Sequence, residues 1–249
     1  MNVLITGATA GFGLAIARRY IQDGACVIAT GRRTERLEAM RAEWGERLLP
    51  VTLDITDREA VEQAVRSLPA AFAEVDVLVN NAGLALGLDL AQSAHVEDWD
   101  TMVDTNVKGL LYCTHAVLPG MVARNRGHIV NMGSIAAEFP YPGGNVYGAT
   151  KAFVHQFSLN LRADLHGTAV RVTDIEPGLV GGTEFSNVRF KGDEARAASV
   201  YANTQPLTPE DIADAVHWVT TRPAHVNINI MSLMPVAQSF GPLLVKRQG

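Results

Sequence analysis

The sequence predicts a single α/β domain over residues 1–249, a doubly wound parallel sheet of about seven strands with helices on both faces. Three observations predict it. Short β-rich runs alternate with longer stretches of helical period, the mark of repeated βαβ units with right-handed crossovers. The runs are continuously apolar rather than alternating, so both faces of the sheet are covered. The first run enters the first helix through a glycine-rich turn, TGATAGFG at 6–13. A length of 249 residues suits one large core better than two full domains.

In chain order, strand 3–6 leads through that turn into helix 12–23. Strand 26–30 and helix 34–44 follow, then strand 48–53 and helix 57–67, which Asp57 caps. Strand 75–79 precedes a long helical stretch, 96–124, and strand 128–132 precedes helix 146–166. In that helix Val146, Phe153, Phe157, Leu161 and Leu165 supply the apolar positions. After strand 169–175, residues 178–207 fit neither period, and so long an irregular stretch in a compact domain reads as a lid. Thr208 caps helix 209–220, with Pro209 at its first position, and a last strand is expected near 226–232.

Composition narrows the function. A net charge of -5 excludes a general nucleic-acid binder, which needs a basic face. Cys26 and Cys113 form no CxxC pair and read as small buried side chains. The seven histidines are scattered, so no metal site is expected. The first residues are apolar but lack a positive segment and are broken by glycines, unlike a signal peptide. No uncharged apolar run reaches the ~20 residues of a membrane span, and the expected location is cytoplasmic.

The turn at 6–13, with Gly7, Gly11 and Gly13, lets backbone N–H groups approach a pyrophosphate at a helix N-terminus. In NAD-binding chains a carboxylate about 20 residues on meets the ribose 2′-hydroxyl. Here the second strand ends in Arg32 and Arg33, whose guanidinium groups would pair with a 2′-phosphate, so the cofactor read is NADP. Asp54 ends the third strand, where it could accept from the adenine amino group; a turn aspartate is the competing reading. NNAG at 80–83 places Asn80 and Asn81 at the sheet's carboxyl edge and Gly83 beside the cofactor.

NVYGATK at 145–151 sets Tyr147 and Lys151 four residues apart, on one helix face. A nearby ammonium would lower the phenol pKa and make Tyr147 a general acid or base. Such a pair is common on solvated faces and gains weight only from its company. Ser134, at the end of a buried strand, can hydrogen-bond a substrate carbonyl. Asn106 could hold a water near the lysine, or be an internal cap.

TGATAGFG, NNAG, Asn106, Ser134, the Tyr147-x-x-x-Lys151 pair and Pro177-Gly178 arrive in the order of the short-chain dehydrogenase/reductase superfamily, which the chain resembles over residues 1 to about 185. The segments GGNVYGATKAF, PAHVNIN and the run from DLHGTAV to NVRFKGD resemble its NADP-dependent 3-hydroxy acid dehydrogenases, which act on L-allo-threonine, serine and malonic-semialdehyde-type substrates. The resemblance implies a Rossmann fold, with Tyr147 as acid/base, Lys151 on the nicotinamide ribose, Ser134 orienting the carbonyl and Asn106 supporting a relay water. It implies NADP contacts from Gly7, Ala8, Thr9, Ala10, Gly11, Phe12, Arg32, Arg33, Asp54, Ile55, Asn81, Tyr147, Lys151, Pro177, Gly178, Val180 and Thr183. Two departures from the superfamily's pattern are Glu176 before Pro177 and an extra glycine before Thr183. The rivals are a 3-oxoacyl thioester or ketone reductase and a non-catalytic NADP sensor, although sensors of this fold usually lose part of the Ser/Tyr/Lys set.

A 3-hydroxy acid needs a cation for its carboxylate. The lid segment 178–207 supplies Arg189 and, as the weaker candidate, Lys191; solvated loop charges are the competing reading. The segment 234–249 begins with an uncharged apolar stretch, MPVAQSFGPLLV, expected to pack on a neighbouring subunit of a homotetramer.

Overall fold

The computed structural model describes residues 1–241. Its strands are β1 Asn2–Ile5, β2 Cys26–Gly31, β3 Leu48–Thr52, β4 Val77–Asn80, β5 Gly127–Met132, β6 Val170–Pro177 and β7 Ile230–Leu233. They form one parallel sheet in the order β3-β2-β1-β4-β5-β6-β7. The helices are α1 Gly11–Gln22, α2 Thr34–Trp44, α3 Arg58–Arg66, α4 Val96–Val103, α5 Leu110–Ala123, α6 Asn145–Asp164, α7 Phe185–Arg189, α8 Glu194–Ser199 and α9 Pro209–Thr220. The doubly wound α/β reading therefore holds, strand for strand.

Two apolar layers explain why the strands lack alternation. On one face Ile16 and Tyr20 of α1, Leu37 of α2 and Ile212 and Val216 of α9 pack against Val3, Ile5 and Val27. On the other, Val117 and Met121 of α5 and Leu161 of α6 pack against Leu4, Leu78 and Ile129. Each such side chain, fully buried, contributes about 1.5–3 kcal/mol relative to exposure. Tyr20 lies wholly in the core, and its hydroxyl meets Thr220 Oγ1 at 2.6 Å, which removes the penalty of burying it. The caps are as read. Asp57 accepts from the Ala60 N–H, and Thr208 forms a reciprocal capping box with Asp211.

Three elements depart from the sequence reading. The stretch 96–124 is helical from Val96 to Ala123 but not uniformly α, because a π-helical turn at Asp104–Gly109 joins α4 to α5. The 178–207 segment is not irregular throughout. It carries α7 and α8, helices of five and six residues, too short to show a period, and a parallel bridge joins Val180 to Leu207. The last strand begins at Ile230 rather than 226. Before it, the Asn227 side chain takes the ladder's place, accepting from the Val172 N–H at 2.8 Å and donating to the Val172 carbonyl at 2.9 Å. At the opposite rim, β3 contains Pro50. Of the expected interface tail, residues 242–249 lie outside the described residues.

Candidate active site

The strand order reverses between β1 and β4, and ligands of such sheets bind outside the carboxyl ends of the strands near that point. A cleft of about 810 Å³ opens there, a volume suited to a dinucleotide with a small substrate. Its floor is the glycine turn. Gly7 has φ +66°, and a Cβ on it would lie 3.0 Å from Ala82 Cα. A Cβ on Gly13 would lie 2.3 Å from the Gly7 carbonyl oxygen, so α1 can start this close only with glycine there. Asn81 shapes the same turn, donating from Nδ2 to the carbonyls of Thr6 at 2.8 Å and Gly7 at 3.2 Å.

Gly7, Thr9, Ala10, Gly11, Phe12, Ile55, Asn81, Pro177, Gly178, Val180 and Thr183 all line the cleft. Ala8 does not. It is wholly buried, and its N–H is spent on the Thr30 carbonyl at 2.9 Å, so the turn presents its neighbours instead. Asn80 also turns inward, donating to Thr114 Oγ1 and Asn131 Oδ1, both at 2.9 Å. Thr183 packs on the turn: a Cβ on Gly11 would touch its Cβ and methyl at 3.4 Å, and the additional glycine is accommodated by Gly182 at φ +70°.

The two arginines line the cleft in different states. Arg32 has an exposed side chain, 4.0 Å from Asp54 Oδ2. Arg33 is held by its whole fork: Nε and Nη2 donate to Thr9 Oγ1 at 3.0 and 2.8 Å, and Nη1 donates to Glu184 Oε2 at 2.7 Å. Glu184 also accepts from Arg36 Nη1 at 2.9 Å, and these partners, Arg33 first, hold its carboxyl below the ordinary range. Asp54 both lines the cleft and makes a turn. Partial burial pushes its pKa up, but the N–H and hydroxyl of Thr56 prevail and keep it low.

At the other end, β5 delivers Ser134 and α6 delivers Tyr147 and Lys151 to one wall. All three are buried, and the Ser134 hydroxyl donates to the Pro177 carbonyl at 3.4 Å and accepts from the Ala136 N–H at 3.1 Å. Burial pushes the Tyr147 phenol up to about 12, with Ser134 and then Arg189 pulling it down. The lysine Nζ sits 5.8 Å from the Tyr147 ring centre and donates to the Met132 carbonyl at 2.7 Å. Burial brings Lys151 itself down to about 8, against the opposing pull of Asp174. Asn106, in the π turn, is 2% exposed, and its amide is engaged by protein. Oδ1 accepts from the Leu84 N–H at 2.9 Å, and Nδ2 donates to the Leu84 carbonyl and to Thr150 Oγ1. The side chain thus positions the strand-to-helix loop against α6. π-Helical turns of this kind concentrate at functional sites.

The lid closes the wall above Tyr147. Phe185 of α7 meets the Tyr147 ring edge-on at 5.8 Å, and the Arg189 guanidinium lies 5.6 Å from the same ring. Arg189 donates from Nε to the Gly87 carbonyl at 3.1 Å and from Nη2 to Tyr141 Oη at 2.8 Å. Lys191 is corrected: it follows α7 with φ +52°, does not line the cleft, and pairs with Asp98 at 2.8 Å. Sequence reasoning missed Tyr141, Phe185 and Glu184. None sits in a recognisable spacing; Glu184 and Phe185 reach the site through the fold of the lid, and Tyr141 through the loop between β5 and α6.

The model of the short chain dehydrogenase family matches residues 1–194. The NADP-dependent 3-hydroxy acid dehydrogenase YdfG of Salmonella typhi is 68% identical over 247 residues, covering 99% of this chain and 100% of that one. Serine 3-dehydrogenase of Agrobacterium fabrum is 52% identical over 247 residues, with 99% and 98% covered. A solved closed form of serine dehydrogenase complexed with NADP+ superposes with a TM-score of 0.99 at 66% identity, each chain fully covered.

Proposed function

The chain belongs to the short chain dehydrogenase family, and from that premise we propose that it is an NADP-dependent oxidoreductase that interconverts short 3-hydroxy acids with their 3-oxo acids or semialdehydes. The observation that carries this reading is one cleft with two chemically distinct ends. Arginines without a competing carboxylate on their strand stand at one end, and Ser134, Tyr147 and Lys151 stand with a lid arginine at the other.

The residues fit the cofactor. The Gly7–Phe12 turn faces a pyrophosphate, and Arg32, with Arg33 beside it, faces a 2′-phosphate. When bound, NADP would supply the acceptor for a hydride from C3 of the hydroxy acid, and its reduced form would supply the donor for the reverse direction. Ser134 orients the substrate oxygen. Tyr147 Oη takes the hydroxyl proton in oxidation and gives it back in reduction. A phenol pushed up to about 12 is protonated at neutral pH, which suits the donating role. Lys151 holds the ribose side of the site, and Asn106 fixes the loop that backs it. Arg189 pairs with the substrate carboxylate through the part of its guanidinium that Gly87 and Tyr141 leave unbonded.

We propose that the protein works in the cytoplasm as a homotetramer; exposed Trp218, Val236 and Phe240 support the assembly. Light scattering returning a monomer at micromolar concentration would reject the assembly. The activity is tested by NADP reduction and NADPH oxidation with serine, allo-threonine, 3-hydroxy acids, semialdehydes and a 3-oxoacyl thioester. Preference for the thioester over every acid would overturn the substrate class.

A further inference from the structure

The lid segment 178–207 is fastened on two sides of the cleft. On the substrate side Arg189 donates to the Gly87 carbonyl and to Tyr141 Oη, and the Gly87 N–H donates to the Arg189 carbonyl at 2.9 Å. On the cofactor side stands Glu184. Its Oε2 accepts from Arg33 Nη1 at 2.7 Å, and its Oε1 accepts from Arg36 Nη1 at 2.9 Å. Among the described residues, these two pairs are the lid's side-chain hydrogen bonds to residues 1–75.

Glu184 occupies the N-cap of α7, where a carboxylate would ordinarily accept from the first N–H groups of its own helix. Its side chain makes no such bond, and the Phe185 N–H donates to Thr183 Oγ1 at 3.2 Å instead. The carboxylate turns to the start of α2, where Arg33 is already fixed on Thr9 of the glycine turn through Nε and Nη2. Thr9, Arg33, Glu184 and Phe185 all line the cleft. One chain of contacts thus runs from the glycine turn through Glu184 to Phe185, whose ring meets Tyr147 edge-on. Each pair is half-exposed and worth little alone. Together they gain, because they share one carboxylate and because Thr9 has already ordered one guanidinium fork. Neutralising Glu184 leaves α7 fastened on the substrate side only.

We propose that Glu184 is a positioning residue that latches the lid to the cofactor end of the cleft and so seats Phe185 and Arg189 over Tyr147. It touches no reacting atom. The inference rests on the oxidoreductase reading above and adds a link to it: charges at the cofactor end set how firmly the substrate end is closed. Glu184 lines the cleft that takes the dinucleotide, so opening the latch also speeds cofactor release.

The test is hydrogen exchange of the amides of residues 185–190, read by mass spectrometry without cofactor or substrate, at low and at high salt. The samples are the parent, Glu184→Gln, Arg36→Met and the double variant. In Glu184→Gln these amides should exchange about five- to tenfold faster at low salt. High salt should bring the parent toward the variant and leave the variant unmoved, because only the parent has a latch to screen. Arg36→Met should give a smaller rise and add nothing to Glu184→Gln, as for two residues acting through one contact. Glu194→Gln, an exposed lid carboxylate, should exchange like the parent. With NADP saturating, Glu184→Gln should raise KM for 3-hydroxy acids by a similar factor and hold kcat, since bound substrate reseats Arg189. NADPH release in stopped-flow fluorescence should quicken. Unchanged exchange in Glu184→Gln would overturn the proposal. So would tighter NADP binding with the lid's exchange unmoved, which would make Glu184 only a counter-charge to the 2′-phosphate. Should Glu184→Gln misfold, Arg36→Met opens the same latch from its other side. Exchange is read without ligands, so it decides the latch whichever substrates the activity panel returns.

Discussion

Replacing Arg189 with methionine removes the one cation that the lid presents to Tyr147 and keeps much of the apolar stem. The guanidinium makes two charge-assisted hydrogen bonds to protein, to the Gly87 carbonyl and Tyr141 Oη, and sits 5.6 Å from the Tyr147 ring. A substrate carboxylate bound to it gains a further contact of the same class, worth roughly 1.5–3 kcal/mol. Its loss should lower kcat/KM for serine and 3-hydroxy acids by about ten- to 150-fold. The protein contacts carry a separate cost, because Gly87 and Tyr141 lose the group that seats α7. An uncharged short aldehyde measures that cost alone. The assay is therefore a pair of kcat/KM ratios, acid and aldehyde, for the variant against the parent. A fall at least tenfold greater for the acid is expected. Equal falls would show that Arg189 only seats the lid, and no fall for either would refute a role in the site.

Tyr147→Phe should abolish turnover while NADPH binding persists in fluorescence titration; residual activity above about a tenth would point to another acid, since positioned proton transfer is worth ~10²-fold or more. Arg32→Ala with Arg33→Ala should weaken NADP binding by about 10²–10⁴-fold, from two contacts of roughly 1.5–3 kcal/mol each, and leave NAD binding far less changed. Of the two single changes, only Arg33→Ala should also disturb NAD, because it releases Thr9 and Glu184; calorimetry with both cofactors separates the cases. His128, buried in β5, is pushed down to about 3 by burial and then by Arg171. Its folded pKa lies below the unfolded value of about 6.5, so stability is full above 6.5 and is lost as pH falls toward 3, by about 1.4 kcal/mol per unit. Urea unfolding at pH 7 and pH 5.5 should show this slope in the parent and a shallower one in His128→Gln.

The glycine turn, the arginine pair and the Tyr147–Lys151 spacing were legible because each is a local pattern whose geometry follows from one strand, turn or helix. The sheet was legible for a related reason: two apolar faces leave a continuous run that no other element explains. What stayed hidden depends on contacts distant in sequence. Glu184 gains meaning only when the lid lies across Arg33 and Arg36, and Tyr141 only when Arg189 reaches it. The Tyr147–Lys151 spacing reports proximity and not desolvation, which pushes the phenol up and the ammonium down. The π turn at Asn106 has no compositional mark, since DTNVKG carries no helix breaker besides its final glycine.

The two rims of the sheet differ in what they offer another polypeptide. Pro50 sits inside β3 and has no N–H to donate, so a chain laid along that rim would meet a gap in the ladder. β7 has no such block. It is four residues long, and Ile230 and Ser232 are exposed. Strand-by-strand growth between copies of this protein, whether in ordered assembly or in aggregation from a partly unfolded state, is therefore directed to β7. There the Asn227 clasp limits how far the free ladder extends.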